Sequence, residues 1–344
     1  MYPLKFEPVF KTKIWGGETI APFKGMKAPF GRIGESWEVS AYPGSESIVV
    51  NGALAGRDLP SLVRQYKGKL VGEHVYAKEG DLFPLLVKFI EAGDDLSIQV
   101  HPDDRMAARY GHPKGKTEMW YVINATEDAH LLVGLSREIS PGEYSTRVLD
   151  GTITDVLARY AVKPGDVFFL PAGRIHALCS GCLVAEIQQT SDLTYRIFDY
   201  NRPGLDGALR ELHTELAREA IDYRVLPDYR THYESRPDEE TLLVECPWFR
   251  VGVMDLRKPF SKDLADMDSF LILMCLSGSG TLTDAEPIFD EENRRGPSKG
   301  HRLDIRQGET VLIPASSVGI TLKPDKAGMK LLAASYGSAA SSTD

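Results

Sequence analysis

The chain lacks several features that would narrow its class at once. It has no apolar run near the roughly 18 residues that a membrane-spanning helix needs. Its opening, Met1-Tyr-Pro-Leu-Lys-Phe-Glu7, has no apolar core of a secretory signal. It holds only 4 cysteines in 344 residues, too few for a disulfide framework in a chain of this size. It has no basic surplus either. The net charge is −9, which argues against general binding to nucleic acid or acidic membranes, because both need a cationic surface. An anionic small molecule stays compatible, since a local Lys and Arg cluster can dominate inside a cleft. The expectation is therefore a cytoplasmic protein with no nucleic-acid or membrane partner. Cys179-x-x-Cys182 has no second pair to accompany it, and Ser180-Gly181 between the cysteines reads as a tight turn.

What is present is ordinary in bulk, with 42% hydrophobic and 26% charged residues. The length points to two domains. Strand signals dominate, at Ser47–Val50, Leu85–Ile90, Met119–Ile123, Val167–Leu170, Leu183–Gln188, Phe249–Met254, Phe270–Leu276 and Val311–Ile313. Short helices are expected at Leu59–Tyr66 and Asp103–Tyr110. A longer one is expected from about Asp206 to Ile221, with Leu209, Leu212, Leu216 and Ala220 on one face. The polar stretch between Tyr223 and Thr241 is the best boundary, giving expected domains of 1–235 and 236–344. Residues 284–302 read as a long exposed loop, and the last eight residues as frayed.

One repeat is visible. The stretch Val162–Leu178 aligns with Ile305–Thr321, so that Gly165 and Pro171 correspond to Gly308 and Pro314. His176 falls opposite Gly319. The simplest reading is two β-barrels built alike, of which only the first keeps an imidazole.

Three short stretches carry the chemistry: Ser97-Ile-Gln-Val-His-Pro-Asp103, Gly115-Lys-Thr-Glu-Met-Trp-Tyr121 and Pro171-Ala-Gly-Arg-Ile-His176. Residues two apart on a strand point the same way. Gln99 and His101 therefore share one face, as do Lys116 and Glu118. With His176 they form a candidate ligand set for one divalent metal. Imidazole and carboxylate suit zinc, although manganese, iron or cobalt accept similar donors. The neutral Gln99 amide would leave a strongly Lewis-acidic ion, able to polarise a carbonyl or hydroxyl.

Gly165-x5-Pro171-x-Gly173-x2-His176 resembles the second sequence motif of the cupin superfamily. The usual first motif, His-x-His followed by Glu, is replaced by Gln99-x-His101 and Glu118. That replacement resembles the type I phosphomannose isomerases, as do the flanking stretches, Glu186, Asp192 and Thr194-Tyr-Arg-Ile-Phe-Asp-Tyr-Asn-Arg202. The stretch between Glu118 and His176 is too short for the helical insertion of longer members, so the chain resembles the short bacterial form. The resemblance implies a mainly β fold, with two cupin (jelly-roll) barrels, the second degenerate, and a few short helices. It implies one zinc ion held by Gln99, His101, Glu118 and His176. It also implies interconversion of mannose 6-phosphate and fructose 6-phosphate through a metal-stabilised enediol.

Arg196 resembles the family's active-site arginine, and Lys116 faces the same interior as Glu118. Glu186 and Asp192 are the candidate acid/base groups. Structural roles compete with each. Lys116 could be a solvated strand-end lysine, Arg196 a partner of Asp192 or Asp199, Glu186 an outer group orienting a ligand, and Asp192 a turn cap. Arg202 is a candidate phosphate contact. The Trp15-Gly-Gly17 and Glu35-Ser-Trp-Glu38 stretches are read as closing the end of the barrel. A metal-dependent cupin oxygenase and a non-catalytic sugar-phosphate binder are the rival functions. Oligomeric state stays open.

Overall fold

Strands that are apolar on both faces need cover on both faces, and the computed structural model shows how they obtain it. The structure describes residues 1–27, 31–285, 288–289, 295–296 and 300–337. The frayed-end expectation lies almost wholly outside them, and the 284–302 loop largely so.

The N-terminal part is built from two antiparallel sheets. The larger runs in the order Arg230–Thr231, Val167–Leu170, Glu118–Ala125, Cys182–Gln189, Leu85–Ala92, Ile33–Val39 and Val9–Gly17. The smaller runs Tyr195–Phe198, Ile98–Val100, His176–Leu178, His130–Leu135 and Leu157–Ala161. One core lies between them, with Trp15, Ile90, Trp120, Phe168 and Val184 facing Leu131, Val133 and Leu178.

The C-terminal part repeats the plan. Its sheet runs Leu4–Lys5, Thr310–Ile313, Leu271–Ala285, Gly319–Tyr336, Phe249–Leu256 and Glu240–Glu245. Two of its strands are long, with register shifts near Ser277–Gly280 that let each continue past a bend. The repeat noted in sequence is real in space. Gly165 and Gly308 both adopt positive φ, at 95° and 79°, and turn the chain into equivalent strands. The chain's first strand crosses to pair with Thr310–Ile313 in the C-terminal sheet.

The two large sheets also share a core. Leu85, Val87, Phe89, Ala185 and Ile187 pack with Phe270, Ile272, Met274, Leu332 and Ala334. This shared core is why Leu85–Ala92 is buried along its whole length.

Two expected elements differ. Ser47–Val50 makes only isolated bridges, Phe6 with Val49 and Ile48 with Asp58. Ser47 Oγ there accepts the Ser40 N–H at 2.9 Å, a local side-chain bond in place of a ladder. The helix expected from Asp206 spans only Thr214–Ala220. Gly207 sits at φ 80°, and the Asp206 carboxylate accepts the Ala208 N–H at 3.0 Å, so a turn replaces the first helical turns. Leu209 and Leu212 are exposed rather than packed. Leu59–Tyr66 forms as expected, with Asp58 capping Ser61 N–H at 2.8 Å. All four cysteines are free, and Cys179 and Cys182 flank a turn at Gly181. No helix among the described residues is long and apolar enough to cross a membrane.

Candidate metal centre and substrate cavity

Strand pairing assembles the site. Gln99 lies directly across the small sheet from His176, and Arg196 lies across from Gln99 on the other side. Glu118 begins a neighbouring strand of the large sheet, paired with Leu170 and Gln188. The turn from Leu170 through Pro171 to His176 joins the two sheets. His101, Glu118 and His176 therefore converge, with one donor atom from each within 4.8 Å of the others. All three are buried.

The donors are prepared for a cation. His101 Nδ1 lies 2.9 Å from the Leu193 carbonyl, and His176 Nδ1 lies 2.8 Å from the Arg174 carbonyl. Each carbonyl fixes the proton on Nδ1 and leaves the Nε2 lone pair facing Glu118. Those Nε2 atoms stand 3.6 and 3.2 Å from the Glu118 oxygens. Burial, and then the charge of Lys116, lower the His101 pKa to about 3, so its ring stays neutral. Both Glu118 oxygens are buried, with the Lys116 ammonium 2.7 Å from one of them. Two imidazole nitrogens and a carboxylate converging on one point form a donor set that fits a divalent metal.

The Gln99 amide nitrogen lies 3.3 Å from His176 Nε2. Turned over, the same amide presents its oxygen to that point. Lys116 is not a solvated strand-end residue. It is buried, with Nζ at 2.7 Å from Glu118 and 3.2 Å from His101 Nε2. Burial would raise the Glu118 carboxyl, but Lys116, His101 and His176 together more than offset it and hold it well below the usual carboxylate range.

A cavity of about 210 Å3 opens beside this centre, lined by Gln99, Lys116, Glu186, Asp192 and Arg196 among others. Five of the residues singled out in the sequence thus share one wall system. Arg196 is not paired with Asp192 or Asp199. Its Nη1 donates to the Glu211 carbonyl at 2.8 Å, and its Nε is buried with no partner. Asp199 is instead occupied by Arg202 and Arg210. Arg202 also lies 3.6 Å from Asp94 and is not among the cavity-lining residues; Arg210 is. A larger cleft of about 610 Å3 between helices Asp104–Arg109 and Thr214–Ala220 contains none of the candidate site residues.

Sequence reading missed Lys88. It is fully buried in the middle of an apolar strand, with Nζ at 3.2 Å from Glu186, 3.7 Å from Glu35 and 3.9 Å from Asp192. A charge inside Leu85-Leu-Val-Lys-Phe-Ile90 was the available signal, because lysine is almost never buried without partners. Glu35 and Trp15 line the same cavity, so they do more than close an end of the fold. Burial opposes ionisation of Glu35, yet Lys88, then Lys13, then the Trp37 N–H bring its pKa down to about 2. Glu186 moves the other way. Burial and the Glu118 charge raise it, while its Oε2 accepts the Trp120 indole N–H at 2.7 Å.

Two antiparallel sheets enclosing a His–Glu–His cluster, followed by a related unit with no such cluster among its described residues, define a cupin-type β protein with a candidate metal centre. The family follows from similarity along nearly the whole chain. The profile described as phosphomannose isomerase type I, catalytic domain, matches residues 3–128. Mannose-6-phosphate isomerase ManA of Bacillus subtilis is 38% identical over 291 residues, covering 83% of this chain and 89% of that protein. Probable mannose-6-phosphate isomerase GmuF of the same organism is 43% identical over 282 residues, covering 82% and 88%. The crystal structure of a mannose 6-phosphate isomerase from Bacillus subtilis superposes with a TM-score of 0.83 at 33% identity, covering 97% and 99% of the two chains. The chain belongs to the type I phosphomannose isomerase family.

Proposed function

We propose that the protein is an aldose–ketose isomerase that interconverts mannose 6-phosphate and fructose 6-phosphate with one bound zinc ion. The observation that carries this reading is the buried Glu118 carboxylate, set between two imidazoles and next to the Lys116 ammonium, beside a cavity lined with acids and cations. His101, Glu118 and His176, with the Gln99 oxygen, would hold the ion. A bound divalent ion supplies Lewis acidity toward a carbonyl or hydroxyl oxygen. Zinc is favoured over magnesium or calcium by the two imidazole donors.

The isomerisation needs an open-chain sugar, removal of a proton beside its carbonyl, and return of that proton to the neighbouring carbon. Negative charge develops on the C1 and C2 oxygens of the enediol as the proton leaves. Fixed cations placed where charge develops lower the barrier more than they aid substrate binding. Lys116 and Arg196 are the cations assigned to that task. Glu186 and Asp192 are assigned to proton movement. Glu186 is the dry, raised carboxyl and Asp192 the half-exposed one. Two carboxyls in unlike environments suit an acid and a base at one pH. The 1–235 unit holds all these residues, and we assign catalysis to it, with 236–344 as the degenerate partner.

Incubation with mannose 6-phosphate in a coupled assay tests the reading. Fructose 6-phosphate should appear without oxygen uptake, and a chelator should abolish it. Oxygen uptake without the ketose would instead indicate an oxygenase. Binding without turnover would indicate a sensor.

A further inference from the structure

The strand Cys182–Gln189 ends in a turn whose hydrogen bonds converge on one side chain. Gln188 lies on the cavity face of that strand, two residues beyond Glu186 and directly across the ladder from Glu118. It is completely buried. Its amide Nε2 donates to the Gln189 carbonyl at 2.9 Å and to the Ser191 carbonyl. Only the NH2 end of an amide can face two carbonyls, so the orientation of the side chain is fixed. Its Oε1 points elsewhere, buried and without a hydrogen-bond partner among the described residues. That arrangement does not favour stability. A buried amide with an unmet acceptor destabilises a fold relative to an apolar side chain of similar shape.

The gain lies in what the amide holds. The Ser191 carbonyl belongs to the peptide that leads into Asp192. Asp192 lines the cavity, with its carboxylate 3.9 Å from the Lys88 ammonium. Its side chain is 40% exposed, so the backbone that carries it sets its direction more than packing does. One residue further, the Leu193 carbonyl lies 2.9 Å from His101 Nδ1. Ser191 braces the same turn from the other side. Its Oγ donates to the Lys114 carbonyl at 3.2 Å and accepts the Leu193 N–H at 3.3 Å. The turn from Ser191 to Leu193 thus serves a candidate acid/base group and a candidate metal ligand at once.

We propose that Gln188 is a positioning residue for the isomerisation. By pinning the peptide between Ser191 and Asp192, it aims the Asp192 carboxylate into the cavity and keeps the Leu193 carbonyl against His101. Its effect on Asp192 rests on the isomerase reading above; its effect on His101 does not. A misplacement of about 1 Å in a reacting group can cost about 100-fold in rate, so the rigidity of this turn bears directly on turnover.

Gln188→Met, close in shape but without the amide, separates this role from a merely structural one. With mannose 6-phosphate, kcat should fall about tenfold or more while KM changes less than about threefold. The thermal midpoint should stay level or rise, because the unmet acceptor is gone. Exchange of the His101 Nδ1 proton with solvent, followed by NMR in the zinc-loaded protein, should quicken by about tenfold or more. Ser191→Ala loosens the turn without touching Gln188, and should move kcat and proton exchange in the same directions. A kcat within about twofold of the unaltered chain, a kcat loss matched by a lower midpoint, or unchanged proton exchange in both variants would overturn the proposal. Absence of turnover in the unaltered chain would refute the isomerase reading instead, and the proton exchange would still report on Gln188.

Discussion

Lys88 is the residue on which the charges inside the site balance. Its ammonium is buried against Glu186, Glu35 and Asp192, and those carboxylates together with Glu118 hold its pKa above the usual lysine value despite burial. Removing one member of a buried ion group leaves the others uncompensated, typically at a cost of about 3–5 kcal/mol. Lys88→Met should therefore lower the unfolding free energy by that order, read as a lower denaturant midpoint at unchanged m, although methionine fits the space. Glu35 gives the matching pH dependence. Its folded pKa of about 2 lies below the ordinary carboxyl value of 4.5. The stability it contributes is complete above the unfolded value and drains away as pH falls through the folded one. That contribution is on the order of 3 kcal/mol. Glu35→Gln should flatten the stability profile between about pH 4.5 and 2, as measured by denaturation at successive pH values.

At the scale of elements, the segment from Lys116 to Glu118 is held by a relay that no sequence motif announces. Asp104 Oδ1 accepts the Gly115 N–H at 2.8 Å and the Gln189 amide at 2.9 Å, while its Oδ2 accepts the Trp248 indole at 3.2 Å. Gln189 Oε1 accepts the Thr117 N–H at 2.8 Å. Helix, strand and the C-terminal unit thus converge on the backbone beside Glu118. Outer groups that orient a ligand commonly change metal affinity 10- to 100-fold. Gln189→Leu should weaken metal binding about tenfold in a chelator competition while the chain stays folded, and unchanged affinity would refute the relay. The convergence of His101, Glu118 and His176 and most central strands were legible because two-residue alternation and turn glycines act locally. The relay, Lys88's partners and the short Thr214–Ala220 helix were not. Each depends on side chains far apart in sequence, or on a turn at Asp206–Gly207 that overrides a helical leucine spacing.

At the scale of the whole molecule, the two units are joined by more than a linker. The Leu4–Lys5 strand lies in the far sheet, and the large sheets share one core through Phe89, Phe270 and Ile272. Lys24 adds a buried bond to both Glu38 oxygens at 2.7 Å and to the Gly308 carbonyl. A shared core couples the unfolding of its parts, so thermal unfolding should be a single transition by both calorimetry and near-ultraviolet dichroism. Two separated transitions would show that the units are energetically independent. The repeat in sequence foretold the duplicated plan, but the shared core was hidden in strands whose two faces are both apolar.

The proposed role of the His101–Glu118–His176 cluster, to hold the metal on which isomerisation depends, is open to a decisive experiment: zinc is titrated into chelator-stripped protein while conversion of mannose 6-phosphate is followed. Turnover should rise in proportion to added zinc and level off at one equivalent per chain, and Glu118→Gln should remain inactive at any zinc concentration. Full turnover in the stripped protein, or zinc-restored turnover in Glu118→Gln equal to that of the unaltered chain, would contradict it.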